Sequence, residues 1–560
     1  MTAAPELQYV CGDSYDEYVC PDGAVRTESD ALWRHLQVVG TPALADHQRA
    51  AEQEIRAFGV TFGNDSDSGS PERPWPFDLV PRIVPVDEWR RIEAGLTQRL
   101  RALNMFIDDC YHEQRAVREG VVPSKLVIDS PNFRPECVGA RPTGGIWAHI
   151  CGSDLVRDAD GTIYVLEDNL RVPSGVSYMI ENRIVTKRTF PELFRSYSVE
   201  PIDPYLEQLG ALLTSVAAVE DPTIVILTPG IYNSAYFEHA FLAQHLGVEL
   251  VTGDDLVVFD DDTLAMKTID GLQQVDVVYR RVDDLYLDPE VFRRDSKLGV
   301  PGLIRSWRAG RVSIVNAPGS GVADDKGVYG FVPDLIRMFL DEEPLLPNVP
   351  TYRCGEPEDR EYVLEHLDEL VVKPANESGG YGIVIGSSAG PEALALVRRR
   401  IEQHPAGWVA QPILALSTVP TLCDGELQPR HVDLRPFVLL GPQGSYVTRG
   451  GLTRVALRQG SLIVNSSQGG GSKDTWVVDA TTRPGPGAPG FVDLGSSRPV
   501  ASALDEAEPL VDENTGTETP LRVPSALALS HGPGEPEASG MPARPIPGDK
   551  TSSGPHEMDQ

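Results

Sequence analysis

The feature that most constrains this chain is the order of two glycine-punctuated stretches, EDNLRVPSG from Glu167 and VVKPANESGGYG from Val371. The first puts carboxylate and amide side chains at the end of a strand. The second puts a lysine at the end of one, followed by a glycine-rich turn. A long block with helix and strand patterns of its own lies between them, so the fold must bring the two together across it. At 560 residues the chain also exceeds what one hydrophobic core usually supports, and roughly two to four domains are expected.

Hydrophobic periodicity divides the chain into blocks. Trp89, Ile92, Leu96, Leu100, Leu103 and Ile107 recur at three- and four-residue steps, the apolar face of a long helix with Asp87 as its N-cap. From Lys125 the pattern becomes strand-like: KLVIDS, then GGIWAHICGSDLV and GTIYVLEDNL, with DADG turning between the last two in a hairpin. TIVILTPG reads as a buried strand, NSAYFEHAFLAQHLG as a helix closed by Gly247, and VELVTGDDLVV as a further strand, together a strand–helix–strand unit with parallel pairing. Its loop lacks GxGxxG spacing, which argues against a dinucleotide site. LVVKPAN and YGIVIG flank the glycine-rich turn, and WVAQPIL, HVDLRPFVLLG and SYVTRGGLTRVAL follow as strands of a second sheet. The expected organisation is a mainly helical region 1–120, an acidic strand region 121–200, the strand–helix–strand region 201–320, a lysine-bearing region 321–480 and a tail 481–560. That tail holds 13 Pro and 10 Gly, with 12 acidic residues against 5 basic ones. Such a composition buries too little apolar surface to offset its ordering entropy, so disorder is expected there.

Charge and cysteine usage exclude several function classes. A formal charge of −33 argues against nucleic acid, because phosphate backbones need a basic surface. A nucleotide requires only a locally positive pocket. No apolar run is long enough to span a bilayer, and the start MTAAPELQYV lacks the regions of a secretory signal. Cys11, Cys20, Cys110, Cys137, Cys151, Cys354 and Cys423 are scattered and form no CxxC pair, so neither a zinc site nor a disulfide framework is expected. A reducing cytoplasm fits this usage.

In the expected hairpin, Asp154 falls opposite Glu167, and Glu167 and Asn169 point to the same face. Two carboxylates and an amide oxygen would make an all-oxygen site of the kind Mg²⁺ prefers, with Asp168 on the other face. The same residues also suit a pair of structural carboxylates at a strand end. Lys373 beside Gly379, Gly380 and Gly382 suits phosphate, since a fixed cation is joined by backbone amides that can approach closely. No GKS or GKT follows, so this is not a Walker A loop, and an ordinary β-hairpin fits equally. Lys326, at the start of a helical segment, is a second candidate cation. Gln411 lies on a strand able to face an adenine. Arg435 and Arg454 could hold phosphoryl or carboxylate oxygens, or be paired within the fold. Arg280 and Arg281 could touch the acceptor substrate, but pairing with Asp283 and Asp284 is the reading preferred, and His149 is expected to be structural rather than a base.

Together these pieces resemble an ATP-grasp enzyme with its two halves exchanged. Lys326, Lys373 with its glycine-rich hairpin, and Gln411 resemble the nucleotide half. Asp154, Glu167 and Asn169, followed by Pro173-Ser174-Gly175, resemble the magnesium half. In the ordinary order the lysines precede the acids; here the acids come first, as in circularly permuted ATP-grasp proteins and the related glutathionylspermidine synthase group. VLEDNLRVPSGVSYMIENR, VYRRVDDLYLDP, NAPGSGVADDKGVYGFVPDLI, NVPTYRC and HVDLRPFVLLG resemble hallmark segments of the permuted type 2 family, over residues 60 to 480.

The resemblance implies an α/β (α+β) circularly permuted ATP-grasp fold, with region 201–320 as an inserted pre-ATP-grasp-like domain. It implies ATP and one or two Mg²⁺ as cofactors, and a carboxylate and an amine, small molecules or peptides, as substrates. The acid would be activated as an acylphosphate and then joined to the amine. Asp154, Glu167 and Asn169 would hold the metal. Lys326, Lys373, Ser378, Gly379, Gly380, Tyr381, Gly382 and Gln411 would bind the nucleotide, and Lys373, Arg435 and Arg454 would act in catalysis. Two other readings use the same apparatus: a non-catalytic ATP-binding regulator, and a phosphotransferase that stops at the phosphorylated product.

Overall fold

Strands from both ends of the sequence build one nine-stranded sheet. The computed structural model describes residues 9–62, 73–375, 382–465 and 469–479. The expected tail disorder therefore lies outside the described residues, as do Ser378, Gly379, Gly380 and Tyr381. Along the sheet the order is Gly444–Val447, Phe437–Gly441, Ile150–Arg157, Glu426–Arg435, Leu452–Val455, Gly471–Val478 and Phe77–Pro85, with Thr418–Cys423 added to Glu426–Arg435 and Ile163–Asn169 to Ile150–Arg157. Only the last neighbours, Gly471–Val478 and Phe77–Pro85, run parallel.

Both faces of this sheet are covered, which explains why Ile150–Arg157 and Gly471–Val478 are buried at every position. Alternate residues enter different cores: Val84, Cys151 and Val477 pack with helix Val86–Tyr111, whereas Ile83, Ile150 and Trp476 pack with helices Asp30–Ala57 and Val176–Thr189. The apolar stripe Trp89, Ile92, Leu96, Leu100, Leu103 and Ile107 is buried as its periodicity predicts. The helix begins two residues earlier than expected, with Pro85 at the N-cap and Asp87 inside the first turn.

Three other expected elements differ. Asn104 bonds the backbone of Trp147 and Ala148, and Asn316 bonds that of His149 and Ile150. These amides take the place of ladder partners, so GGIWAH is not strand and the ladder starts only at Ile150. KLVIDS does not form a strand either: after Pro123 the chain makes a short helix, Ser124–Val127, and so brief an apolar run does not distinguish the two. VELVTGDDLVV is split by a capping-box turn at Gly253–Asp255 into Glu249–Val251 and Leu256–Val258, which join different sheets.

The inserted block forms a four-stranded parallel sheet in the order Ser313–Val315, Val277–Arg280, Ile224–Leu227, Glu249–Val251. Helix Tyr236–Leu246 connects its last two strands, and Gly247 ends that helix at φ 67°, a conformation that favours glycine. A further four-stranded antiparallel sheet carries the lysine strand, in the order Tyr352–Arg353, Trp408–Pro412, Leu370–Pro374, Val384–Ile385. WVAQPIL therefore belongs with the lysine strand rather than with HVDLRPFVLLG, which lies in the large sheet. Among the described residues no helix is long and apolar enough to cross a membrane.

Candidate active site

The acidic hairpin turns at Asp158–Gly161, and its register sets Asp154 opposite Glu167 and Gly152 opposite Asn169. Asp168 points to the other face, where it accepts from Ser153 and from the Arg99 guanidinium at 2.7 Å. On the site face, Arg435 reaches Asp154 from strand Glu426–Arg435 through Nε and through Nη2 at 2.8 Å, and Arg454 Nη2 donates to the same carboxylate at 2.7 Å. Arg454 also pairs with Asp433, its cross-strand neighbour. Burial opposes the charge on Asp154, yet Arg435 and Arg454 overcome it and hold the carboxyl well below the usual range.

The lysines come from the other side. Lys373 ends strand Leu370–Pro374, and its Nζ donates to Gln411 Oε1 at 2.6 Å, while Gln411 Nε2 donates to Thr351 Oγ1 at 2.9 Å. Burial pushes the Lys373 ammonium down to about 8, Glu167 resisting the shift and Lys326 adding to it. Lys326 opens a short helical turn capped by Asp325, and its backbone N–H donates to the carbonyl of Ala375. That bond fixes the two lysine-bearing segments to each other. Lys326 Nζ lies 3.7 Å from Glu167 Oε2, and Arg435 Nη2 lies 3.8 Å from Glu167 Oε1. Glu167 thus stands between the lysines and the arginines.

The three residues expected to hold a metal are not equivalent. Asp154 is 1% exposed and gives both carboxylate oxygens to guanidinium groups, so it anchors arginines here rather than presenting an open ligand. Glu167 is more open, and Asn169 uses its Nδ2 on the carbonyl of Gly152, which leaves the amide oxygen as its ligand atom. A carboxylate and an amide oxygen fit Mg²⁺, which completes its shell with water and phosphate. Among the described residues no group of three or more His, Cys, Asp or Glu is placed to hold a metal by itself.

Two clefts meet at Glu167 and Lys326. The first encloses about 1050 Å³, its open mouth included. Val349, Val371, Ile385, Leu414, Leu416 and the segment Leu462–Val464 give it apolar walls, while Asp154, Glu167, Lys326, Lys373, Gln411 and Arg454 line its polar end. The second, about 1240 Å³ with its mouth, lies between the acidic hairpin and the parallel sheet.

Several residues here were not singled out from the sequence. Glu238, fully buried, accepts from the backbone of Gly175 and Ser177 and pairs with Arg281 at 2.9 Å. Arg281 also donates to the Pro173 carbonyl and to Ser174 Oγ, so these two residues hold the PSG segment from the parallel sheet. Arg280 pairs with Asp284 at 2.6 Å as expected, but Arg281 does not pair with Asp283, which bonds Arg171 instead. A lone Glu in a helical pattern carries no sign of such a contact. His149 is fully enclosed and pushed down to about 4 by burial, consistent with a structural place. Gly382, at φ 72°, leads into strand Val384–Ile385.

The sequence model of the family described as circularly permuted ATP-grasp type 2 matches residues 81–456. An uncharacterised protein of Synechocystis sp. is 52% identical over 85% of this chain and 99% of its own length. One from Mycobacterium tuberculosis is 49% identical over 83% of this chain and 84% of its own. A Frankia casuarinae protein named "Putative glutamate--cysteine ligase 2-2" is 46% identical over 83% of this chain, which spans 53% of that protein. Among solved structures, the apo form of a glutathione synthetase-like effector from Globodera pallida superposes with a TM-score of 0.52 at 12% identity, covering 78% of this chain and 98% of that one. At that identity the likeness concerns the fold alone.

Proposed function

The chain belongs to the circularly permuted ATP-grasp type 2 family, and from that premise we propose that it is an ATP-dependent ligase that joins a carboxylate to an amine. The observation that carries the reading is the convergence of Lys326, Lys373, Glu167 and Arg454 at the polar end of a cleft whose walls are apolar, with Arg435 3.8 Å from Glu167. The apolar walls suit a nucleobase, and the two lysines suit the phosphates. Glu167 and Asn169 are assigned to a magnesium ion, which when bound would supply positive charge to offset that of the phosphates. Ser378, Gly379, Gly380, Tyr381 and Gly382, of which Gly382 alone is among the described residues, are assigned to the same phosphates.

Arg435 and Arg454 stand ready-oriented because Asp154 and Asp433 fix their guanidinium planes. Donors held in place in this way stabilise charge on a transferring phosphoryl group without reorganisation. The carboxylate attacks the γ-phosphorus, the bond to the β-phosphate breaks and ADP leaves, and the amine then displaces phosphate from the acylphosphate. The ligase name of the Frankia relative, of which this chain matches about half, supports a reaction of this class.

The test is ADP release by the full chain with Mg²⁺, ATP and a panel of acids, with and without amines. Release that needs both partners supports a ligase. Release with acid alone and a stable phosphorylated product supports phosphotransfer instead. Lys373→Ala and Glu167→Gln are each expected to lower turnover by about 10²-fold or more. Unchanged turnover in both would reject the site.

A further inference from the structure

We propose that the second cleft holds the amine partner and recognises it as an ammonium group at Asp283 and Asp324. This rests on the ligase reading and adds to it a place and a charge for the substrate that is not the nucleotide.

Topology selects the place. Strand Glu249–Val251 lies on one side of Ile224–Leu227, and Val277–Arg280 lies on the other, so the strand order reverses between Ile224–Leu227 and Val277–Arg280. In open parallel sheets, ligands bind outside the carboxyl ends of the strands at such a reversal. Here the segments that follow those two strands supply Pro229, Asn233, Ser234, Arg281 and Asp283 to the cleft. The facing wall is the end of the acidic hairpin, through Asn169 and Arg171. The cleft therefore opens onto the phosphate end of the first one at Glu167 and Lys326.

Charge selects the ligand. Most ionised groups along this cleft are matched: Arg281 by Glu238, Asp168 by Arg99, and Lys326 by Glu167 at 3.7 Å. Arg171 is the exception, since one guanidinium serves two carboxylates: its Nη1 is 3.0 Å from Asp283 and its Nε is 2.7 Å from Asp324. One negative charge is left over at that wall. Asp283 is the more open of the two, with 37% of its side chain exposed. Its Oδ1 accepts from the Leu285 N–H at 3.3 Å and its Oδ2 from Arg171, which leaves lone pairs on both oxygens.

A second polar group faces the same space. His239 lines the cleft and is 1% exposed, and its Nδ1 lies 2.9 Å from Thr228 Oγ1. Its other ring nitrogen makes no hydrogen bond with a described residue. Burial, reinforced by Arg281, pushes this imidazole down to about 2, so it meets the ligand uncharged. A carboxylate placed here would face two acids, whereas an ammonium gains charge-assisted hydrogen bonds and neutralises the excess.

The position also suits the bond to be made. The amine nitrogen approaches the acyl carbon from the side opposite the nucleotide. The C–N bond forms, the C–O bond to phosphate breaks, and phosphate leaves with the electron pair. Of the three ammonium protons, one stays on the amide, one ends on hydrogen phosphate and one passes to solvent.

The experiment is calorimetric titration of the full chain, saturated with Mg²⁺ and a non-hydrolysable ATP analogue. The probes are n-butylamine and butyrate, a matched cation and anion. The amine is expected to bind saturably and butyrate not at all. Asp283→Asn should weaken amine binding by about 10-fold with nucleotide affinity unchanged, which also shows that the variant folds. Ser234→Asp, which adds a negative charge to the wall, should tighten it. Saturable butyrate binding without amine binding, no binding of either, or an amine affinity indifferent to Asp283→Asn overturns the proposal. A wild-type chain that takes up no nucleotide overturns the ligase reading, and this inference with it.

Discussion

Two buried networks of acids and arginines sit on the same large sheet and behave differently. In one, Glu17 accepts from Arg82 at 2.6 Å, from Arg157 at 3.1 Å and from Ser417 at 2.6 Å, and no cleft adjoins it among those described above. In the other, Asp154 accepts from Arg435 and Arg454 at the polar end of the first cleft. Burial and pairing are alike, so neither marks a functional site. What separates the two is that Arg454 lines a cleft whose polar end also carries lysines and an open glutamate. The first network joins the N-terminal segment to the sheet; the second fixes cations where a ligand can reach them.

The largest expected effect falls on the network that has no cleft. Glu17→Ala leaves Arg82 without a counter-charge and Arg157 with Glu88 alone, and should cost about 3–5 kcal/mol, measured by denaturant unfolding. Activity per folded molecule should not change. The two arginines pull the Glu17 carboxyl down to about 2 against the effect of burial. A carboxyl depressed in the folded state stabilises fully above its unfolded value, near ~4.3, and that contribution is lost as pH falls toward 2. Acid unfolding of the wild type should therefore steepen in this window, and Glu17→Gln should remove that component.

The next test asks what Asp154 does. As the anchor of two arginines, its replacement in Asp154→Asn should lower turnover by about 10²-fold while the Mg²⁺ concentration for half-maximal rate stays put. If it were an open metal ligand, the Mg²⁺ requirement would rise by about 10-fold or more. The two outcomes separate an arginine-positioning acid from a metal-binding one. The first extends the comparison with Glu17; the second ends it.

The sequence foretold the hairpin pairing of Asp154 with Glu167 because a turn motif and a strand period of two set it locally. It also foretold the parallel unit around Ile224 and the buried face of helix Val86–Tyr111. It was silent where partners are remote. Nothing local tells that Glu238 would hold Gly175, or that Asp154 would be claimed by arginines 281 and 300 positions away. The division of WVAQPIL from the following strands was hidden for the same reason, since sheet membership depends on which edge a strand meets. The ligand set could be read as a group of residue types, but the partner each would take could not.

The smallest expected effect is the pH response of Lys373. Its ammonium is pushed down to about 8 by burial, although Glu167 stands near. The group is charged below that value and neutral above it, and only the charged form offsets phosphate charge. Nucleotide affinity, followed with a fluorescent ATP analogue, should therefore weaken several-fold as pH rises from ~7 to ~9, since bound phosphate itself favours the charged form. Arginine stays protonated throughout that range, so Lys373→Arg should flatten the pH profile even if its larger head lowers affinity at every pH. A wild-type profile that is already flat would mean that this lysine stays charged in the nucleotide-free protein across the range. The burial of Lys373 would then matter for its position and not for its protonation. If instead Lys373→Arg keeps the slope, the titrating group lies elsewhere in the cleft.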